Sequence, residues 1–259
     1  SCMHEEMYLN NQISSNLIAL FKNHLIAGPR YGNLDIGDKG LGRLIEPNEL
    51  NNWINKTKGK VIVTSGPTVE PIDDVKVISN KSSGKQGRAL AMELNSKGYE
   101  VIYIHSSLIQ PIPGIKNKTF NTSDELFSVI SSEMKDTKSL FMTAAVSDFI
   151  LNKTDGKINR SNGKFNLELT PNKDIIASIK KEFPDVKCIA FSAQVDDDLN
   201  FDKLKSKNVD YLVINNILKN EFGSDENKIS IINRDELIYK SGTLSKDEIA
   251  QAILITLNY

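Results

Sequence analysis

Five short apolar runs separated by helical segments constrain the fold of this chain more than any other feature of its sequence. The runs cover residues 61–65, 99–107, 139–146, 187–193 and 210–216. They are rich in β-branched and aromatic residues, which is typical of strands buried on both faces of a parallel sheet. Helices are expected from about Gly84 and near residues 123–135, 173–183 and 199–208. This alternation predicts an α/β fold with a Rossmann-like, mostly parallel, doubly wound sheet and helices on both faces.

Two further segments predict smaller features of this fold. Residues 228–242 contain two short strands around a polar turn and predict a hairpin at the edge of the sheet, and a last helix is expected at residues 246–257. Residues 150–170 are polar and rich in turn residues, so we expect a flap over the site, in which residues 166–169 could form a short strand.

The length of the chain and the change in composition along it indicate two parts. A chain of 259 residues can hold one α/β domain with an appendage. Residues 1–59 are polar and Asn-rich, and are expected to form an N-terminal arm. Residues 60–259 are expected to form the main domain.

Composition excludes several classes of protein. Apolar residues make up 39% and charged residues 25% of the chain, and no run approaches the roughly 18 apolar residues of a membrane span. With no basic-then-apolar leader, we expect a cytoplasmic protein without a signal peptide. Cys2 and Cys188 are too few for a disulfide framework or a thiolate metal site. A net charge of −1 gives no reason to expect a nucleic-acid partner.

The first candidate site is the segment SNKSSGKQGR, residues 79–88, ahead of the first helix of the main domain. Ligands of open α/β sheets bind beyond the carboxyl ends of the strands. Gly84 and Gly87 permit close backbone approach, and exposed amides at a helix start attract an anion. Alternatively, Ser82 or Ser83 simply caps the helix. The segment matches neither the dinucleotide fingerprint nor the Walker sequence, so both interpretations stay open.

The second candidate is AAVSD, residues 144–148, together with the flap that follows it. The flap carries four cations: Lys153, Lys157, Arg160 and Lys164. A carboxylate beside several cations suits a triphosphate and its metal, with Asp148 bonding the metal or a sugar hydroxyl and Lys157 neutralising transferred charge. The alternative is that this basic loop is only solvated surface.

Other polar residues give weaker indications. Four asparagines fall at strand ends or loops, where an amide can bind a polar substrate or stabilise a turn: Asn80, Asn172, Asn215 and Asn216. The three histidines, His4, His24 and His105, lack partners at the spacing of a hydrolase triad. Cys188 precedes an apolar run and is expected to be a core residue.

The segment SGPTVEPIDDVKVISNKSSGKQGRALA, residues 65–91, resembles phosphopantothenoylcysteine synthetase, the ligase of coenzyme A biosynthesis. Similar blocks follow in the order of that family: AAVSDF (144–149), GKI (156–158), PNKDI (171–175), AFSAQ (190–194), KLKSKNVD (203–210) and FGSDENKI (222–229). The resemblance implies a ligase that joins 4′-phosphopantothenate to L-cysteine through an acyl-nucleotide intermediate, releasing pyrophosphate and a nucleoside monophosphate. It also implies Mg²⁺ and a nucleotide co-substrate, with CTP the usual bacterial donor and ATP that of eukaryotic relatives.

The resemblance also implies roles for individual residues. Asn80 would handle the acyl-nucleotide intermediate, Lys157 would promote its formation, and Asn172 would join Asn80 in binding substrate. Asp148 would hold the metal. The residues expected at the nucleotide are Ser83, Gly84, Ala144, Asp148, Phe149, Phe191, Lys203 and Lys207.

Two departures from the family pattern alter the charge expected around the triphosphate. The family's GFAAET is AFSAQV here, and the second cation of its KIK motif is replaced by Asn159. CTP is favoured over ATP on the resemblance, but these departures leave the nucleotide preference open.

The arm resembles the end of the flavin-dependent decarboxylase that is often fused ahead of this ligase. The similar segments are MHEEMYLN (3–10) and YGNLDIGDKGLGRLIEP (31–47). Ile36 stands where that family has a cysteine and His4 where it has an asparagine, so we expect no flavin and no decarboxylation. The arm could instead brace the ligase or its dimer. The resemblance implies a homodimer, for which the hairpin at residues 228–242 is a candidate contact.

Two other functions compete with the ligase. A Rossmann-type NAD(P)-dependent oxidoreductase would need a tight glycine loop and an acidic residue ending the second strand, where this chain has His105-Ser106-Ser107. A non-catalytic nucleotide-binding subunit would not need Asn80, Asp148 and Lys157 together.

Overall fold

A computed structural model describes residues 3–21, 23–24, 26–34, 39–56, 58–159, 163–194, 198–216 and 225–259. The interpretations of Cys2, Ile36 and Arg160 lie outside the described residues, as does the part of the block 222–229 that precedes Asp225.

Helices and strands alternate along the main domain. The helices are α1 (Glu5–Tyr8), α2 (Asn11–Phe21), α3 (Pro47–Asn55), α4 (Lys85–Ser96), α5 (Ser123–Glu133), α6 (Ile175–Glu182), α7 (Phe201–Lys207) and α8 (Lys246–Thr256). The strands are β1 (Arg30–Asn33), β2 (Lys39–Arg43), β3 (Lys60–Ser65), β4 (Val69–Pro71), β5 (Val77–Ser79), β6 (Glu100–Ser106), β7 (Lys116–Phe120), β8 (Thr137–Met142), β9 (Phe149–Ile150), β10 (Thr170–Pro171), β11 (Lys187–Gln194), β12 (Tyr211–Asn216), β13 (Glu226–Asn227), β14 (Ile229–Ile232), β15 (Leu237–Lys240) and β16 (Leu244–Ser245).

Eight of these strands form one sheet in the order β15-β14-β12-β11-β8-β3-β6-β7. The six strands from β12 to β7 are parallel to one another, whereas β14 runs antiparallel to both β12 and β15. This confirms the predicted doubly wound sheet with its edge hairpin. The short strand considered at residues 166–169 does not form: among the described residues of this segment, strand pairing joins Thr170 to Ile150 and Pro171 to Phe149.

Each face of the sheet is covered by its own helices. Val61 and Val63 belong to a core with residues of α4 and α8, whereas Ile62 belongs to a second core with residues of α5, α6 and α7. Cys188 is fully buried in the second core, and burial raises the pKa of its thiol to about 12. The thiol is therefore neutral and structural, as expected.

The arm packs against the α4 and α8 face of the main domain. Its small cluster of Tyr8, Leu17 and Leu41 includes Met92 of α4. Arg30 pairs with Glu93 of α4 at 3.2 Å as well as with Glu49 of the arm. Lys39 Nζ also lies 3.3 Å from a carboxylate oxygen of Glu248 in α8. Since these contacts tie the arm to two helices, we propose that residues 1–59 brace the main domain.

None of the helices in the described part of the chain combines the length and apolar content that a bilayer crossing requires.

Helix α4 begins at a glycine rather than at a serine cap. Gly84 is the N-cap, in the left-handed region at φ 70°, and no side chain caps the first turn. The expectation that Ser82 or Ser83 caps this helix is therefore wrong, because the chain turns here through a conformation that glycine adopts most readily.

Gly87 brings α4 close to the sheet. A Cβ atom added there would lie 2.4 Å from Thr143 Oγ1 and 2.8 Å from Ser65 Cβ. The helix therefore packs onto the ends of β3 and β8 with no room for a methyl group.

Replacing Gly87 with alanine separates packing from helix propensity. Propensity alone predicts a stabilisation of about 1 kcal/mol, whereas overpacking predicts that Gly87→Ala lowers the free energy of unfolding by about 1–3 kcal/mol. Gly242→Ala is a control for the added methyl group outside a helix, because Gly242 lies in a loop and nothing lies within 4 Å of the added Cβ. Urea denaturation measures both variants, and a Gly87→Ala protein more stable than wild type would contradict the packing argument.

Candidate functional site

The order in which the chain adds strands to the sheet reverses between β3 and β8. The chain continues from β3 toward β6 on one side, and from β8 toward β11 on the other. Ligands of open α/β sheets bind at such a switch point, beyond the carboxyl ends of the strands. The loops that follow β3 and β8 therefore form the centre of the candidate site.

These two loops stay hydrogen-bonded to each other beyond the sheet. Ala145 N donates to Gly66 O at 2.9 Å, and Thr68 N donates to Ala145 O at 3.1 Å. The buried Thr68 hydroxyl then accepts a bond from Ser147 N at 3.0 Å. The 144–148 segment is thus fixed to the loop that leads toward Asn80.

Asn80 and Asn172 hold this segment from two further directions. Asn80 Nδ2 donates to the carbonyl oxygens of Ala145 at 3.3 Å and Val146 at 3.0 Å. Asn172 Nδ2 donates to Ser147 O at 2.8 Å, and its backbone N–H donates to Asp148 O at 2.8 Å. Both amides therefore fix the backbone beside Asp148, whose carboxylate stays exposed.

A cleft of about 720 Å³ opens beside these loops. The predicted residues that line it are Asn80, Ala144, Asp148, Asn172, Phe191, Lys203 and Lys207. These residues come from the loops after β5, β8 and β10, from β11 and from α7. Lys81, Lys173, Asp174 and Ser192 also line it and were missed as site residues, although all four fall inside motifs that the sequence analysis quoted.

The two lysines of α7 have different partners. Lys207 Nζ pairs with Asp174, whose other oxygen accepts a bond from Ala177 N at 3.1 Å and caps α6. Lys203 Nζ donates to the neutral hydroxyl of Ser192 at 2.9 Å. Because a hydroxyl does not offset the ammonium charge, Lys203 adds positive potential to the cleft for an anionic ligand.

Four predicted residues are not among those that line the cleft: Ser83, Gly84, Phe149 and Lys157. Gly84 packs against Ser65 and Ile109 instead. Phe149 follows Asp148 and is 48% exposed. Lys157 lies on the flap with its side chain exposed, between two residues whose backbone is hydrogen-bonded to Asp73 and Asp74.

The end of β6 offers little to a dinucleotide. His105 is buried, its Nδ1 lies 2.9 Å from Ser106 O, and burial lowers the pKa of the imidazole. Ile109 fills the space over the turn at Gly66, because a Cβ atom added to Gly66 would lie 2.5 Å from Ile109 Cγ1. The residues that a Rossmann oxidoreductase uses for pyrophosphate and ribose have no equivalent here.

The described residues hold no group of three or more histidine, cysteine, aspartate or glutamate side chains that could bind a metal. Mg²⁺ is commonly bound through one or two carboxylates together with substrate phosphates. Asp148 on the cleft wall supplies one such carboxylate. The residues therefore fit a Mg²⁺ ion that arrives with a nucleotide, and not a metal held by protein alone.

The fold and cleft define a Rossmann-like α/β protein with a candidate ligand site at the switch point. A family model, described as "DNA/pantothenate metabolism flavoprotein C-terminal domain", matches residues 57–258. The chain belongs to this family and is a phosphopantothenoylcysteine synthetase-like protein, which confirms the resemblance in its motifs.

Curated relatives of the chain include coenzyme A biosynthesis proteins and one protein of a different name. The chain is 30% identical to the coenzyme A biosynthesis bifunctional protein CoaBC of Vibrio cholerae, covering 97% of this chain and 67% of the relative. It is 32% identical to CoaBC of Methanocaldococcus jannaschii, covering 80% of this chain and 52% of that relative, or about half its length. Another relative, 33% identical over 90% of this chain and 70% of its own length, is a "Cysteine/Cysteine sulfinic acid decarboxylase" of an unknown prokaryotic organism.

Solved structures share the fold. The DNA/pantothenate metabolism flavoprotein of Streptococcus pneumoniae matches with a TM-score of 0.67 and 23% identity, covering 77% of this chain and 98% of its own. The Cab2 mutant H337A in complex with phosphopantothenate-cysteine matches with a TM-score of 0.62 and 16% identity, covering 82% of this chain and 91% of its own.

Thr68 offers a direct test of the contact between the two loops. Thr68→Val keeps the shape but leaves Ser147 N–H buried without its acceptor, so we expect the free energy of unfolding to fall by about 1–3 kcal/mol. Amide exchange at Ser147 should accelerate. Thr68→Ser keeps the hydroxyl and should keep Ser147 protected. Equal protection of Ser147 in the valine and serine variants would show that this bond does not hold the loops together.

Proposed function

We propose that this protein is a ligase that joins 4′-phosphopantothenate to L-cysteine through an acyl-nucleotide intermediate, with CTP favoured over ATP. The observation that carries the proposal is the cleft at the switch point. Seven of the family's eleven candidate residues, from separate parts of the chain, line this cleft of about 720 Å³. The membership of the chain in a coenzyme A biosynthesis family supports the same reaction class.

The chemistry of the cleft suits attack by a carboxylate on an α-phosphate. That step depends on alignment and on offsetting negative charge more than on an acid-base pair. Lys81, Lys203 and Lys207 supply cations, and Asn80 and Asn172 supply amides. Neither histidine nor cysteine is among the described residues that line the cleft, so a nucleophilic triad finds no support there.

Asn80 is proposed to contact the acyl-nucleotide intermediate. Its amide nitrogen is already bonded to the carbonyl oxygens of Ala145 and Val146. The amide oxygen is the atom left to accept a bond from the substrate or from the incoming cysteine amine. Because the nitrogen is fixed, the oxygen is oriented before substrate arrives.

The nucleotide is proposed to bind beside the 144–149 segment, with Ala144 and Phe149 near its base or sugar and Phe191 nearer its phosphates. Asp148 would hold Mg²⁺, which offsets charge on the phosphate oxygens when bound. Lys157 would neutralise the charge that develops as the acyl nucleotide forms. Ser83 and Gly84 are proposed as further phosphate contacts from the start of α4.

Two other properties stand as proposals beside the activity. We propose a homodimer, with the β14–β15 hairpin as its candidate contact, and a cytoplasmic location. The competing oxidoreductase is disfavoured by Ile109, which lies over the turn at Gly66. A non-catalytic subunit would keep the same cleft, and an activity assay separates it from the ligase.

Substitution of Lys157 and Asn80 tests the proposed roles. We expect Lys157→Gln to slow acyl-nucleotide formation by at least about 100-fold, because it removes a cation from a step with developing charge. Asn80→Asp should give a similar loss, because its carboxylate would face the carbonyl oxygens of Ala145 and Val146. Initial rates of pyrophosphate release with CTP and with ATP, each dependent on phosphopantothenate, measure both effects.

Lys135→Gln is the matched control, since Lys135 is an exposed lysine that precedes β8. It therefore lies at the amino end of that strand, away from the cleft at the carboxyl ends. It should keep the wild-type rate. Normal pyrophosphate release by Lys157→Gln would reject the role of that lysine. A nicotinamide absorbance change would select the oxidoreductase instead, and a wild-type protein silent in both assays would select the non-catalytic subunit.

A further inference from the structure

The root of the flap is bound to the tip of a hairpin formed by β4 and β5. Thr154 N donates to Ile72 O at 2.9 Å, and Asp74 N donates to Gly156 O at 3.3 Å. These backbone bonds join residues 153–158 of the flap to residues 72–76 of the hairpin. We call the connection between these two segments the latch. These bonds therefore anchor the flap backbone just ahead of Lys157.

Asp73 lies at the centre of the latch, and its two carboxylate oxygens accept hydrogen bonds from different donors. Oδ1 accepts bonds from Val75 N at 2.7 Å and Lys76 N at 2.6 Å, which shape the hairpin turn itself. Oδ2 accepts bonds from Ile158 N at 2.9 Å and Lys76 Nζ at 2.6 Å. Lys76 Nζ also donates to Ile158 O at 2.8 Å. Thus Oδ2 and Lys76 together hold both backbone groups of the residue after Lys157.

Asp74 holds the residue before Lys157. Its Oδ2 accepts a bond from Gly156 N at 3.0 Å, and its Oδ1 pairs with Lys153 Nζ at 2.5 Å. The bond to Lys153 is the main reason that the pKa of Asp74 lies below its usual value. Asp74 is half-exposed, whereas the Asp73 side chain is fully buried. Charge-assisted bonds at a buried group are the stronger ones, so Asp73 dominates the latch.

The same hairpin leads directly into the cleft. β5 ends at Ser79, whose hydroxyl donates to Thr68 O at 2.8 Å, and Asn80 follows on the cleft wall. One rigid hairpin therefore carries Asn80 at its base and fixes the backbone around Lys157 at its tip. The relative position of the two proposed catalytic residues is set by this element.

We propose that Asp73 is a positioning residue that acts through Lys157, by fixing the flap backbone on which that lysine stands. Its effect on catalysis rests on the proposed ligase function, whereas its effect on the flap does not. Asp73 touches no lining residue of the cleft in these bonds, so it is not assigned to substrate. Fixing the backbone lowers the conformational freedom that Lys157 loses in the reacting complex.

Asp73→Asn is the informative substitution, because an amide can still accept the turn bonds at Oδ1 but presents an NH₂ group to Ile158 N and Lys76 Nζ. Asp155→Asn is its matched control, since Asp155 is an exposed flap carboxylate. Limited trypsin digestion followed by mass spectrometry measures cleavage after Lys153 and Lys157. We expect Asp73→Asn to accelerate this cleavage by about tenfold or more, and Asp155→Asn to leave it unchanged.

A kinetic cycle tests whether Asp73 acts through Lys157. Asp73→Asn should slow acyl-nucleotide formation by about tenfold while the Kd for CTP changes less than about threefold. In the double variant with Lys157→Gln, Asp73→Asn should add no further loss, because the group that it positions is already gone. Asp73→Glu, which keeps the charge, should restore part of the rate.

The outcomes separate the two proposals. Unchanged trypsin cleavage in Asp73→Asn overturns the latch whatever the activity of the protein. Losses that multiply in the double variant overturn the action through Lys157. Accelerated cleavage of Asp73→Asn, together with a wild-type protein that has no ligase activity, would reject the proposed function and keep the latch.

Discussion

The hydrogen bonding between the loops after β3 and β8 is the constraint on which the rest of the site depends. Parallel strands that are neighbours at a switch point send their chains to opposite faces, which opens a crevice between them. Here the bonds of Thr68 and Ala145 keep the loops joined for several residues before they part. Asn80 and Asp148 therefore reach the same cleft although the sequence separates them widely. Buried bonds of this kind are costly to leave unmade, so the arrangement resists loosening.

The β4–β5 hairpin extends this constraint to the flap. Its base is joined to the Thr68 loop and its tip holds residues 153–158, so movement of the flap root would break several bonds at once. One of the chain's departures from the family pattern, Ser192, lines the cleft. Ser192, where the family has alanine, accepts the bond from Lys203. That contact fixes the position of one cation of the cleft.

Much of the fold follows from the sequence, because strands buried on both faces must be apolar throughout. An apolar pattern cannot detect β7, because β7 is an edge strand of mostly polar residues. Its Lys116 and Lys118 pair with Glu133. The interpretation that Ser82 or Ser83 caps α4 is wrong because the chain adopts a left-handed conformation at the N-cap position, which Gly84 occupies. Position at strand ends and loops indicated Asn80 and Asp148, and the family resemblance added Phe191, but neither could place the flap. Bonds from Asp73 and Asp74 to residues more than 80 positions away decide that, and no local pattern reports them.

The most direct test of the central claim is the structure of crystals soaked with CTP and MgCl₂. The account predicts nucleotide density in the cleft between Asn80 and Lys203, with a magnesium ion within about 2.1 Å of an Asp148 carboxylate oxygen. Density elsewhere, for example beside His105 and Ile109 at the end of β6, would contradict it. In that case the joined loops would be a structural device of the fold and not the floor of its active site.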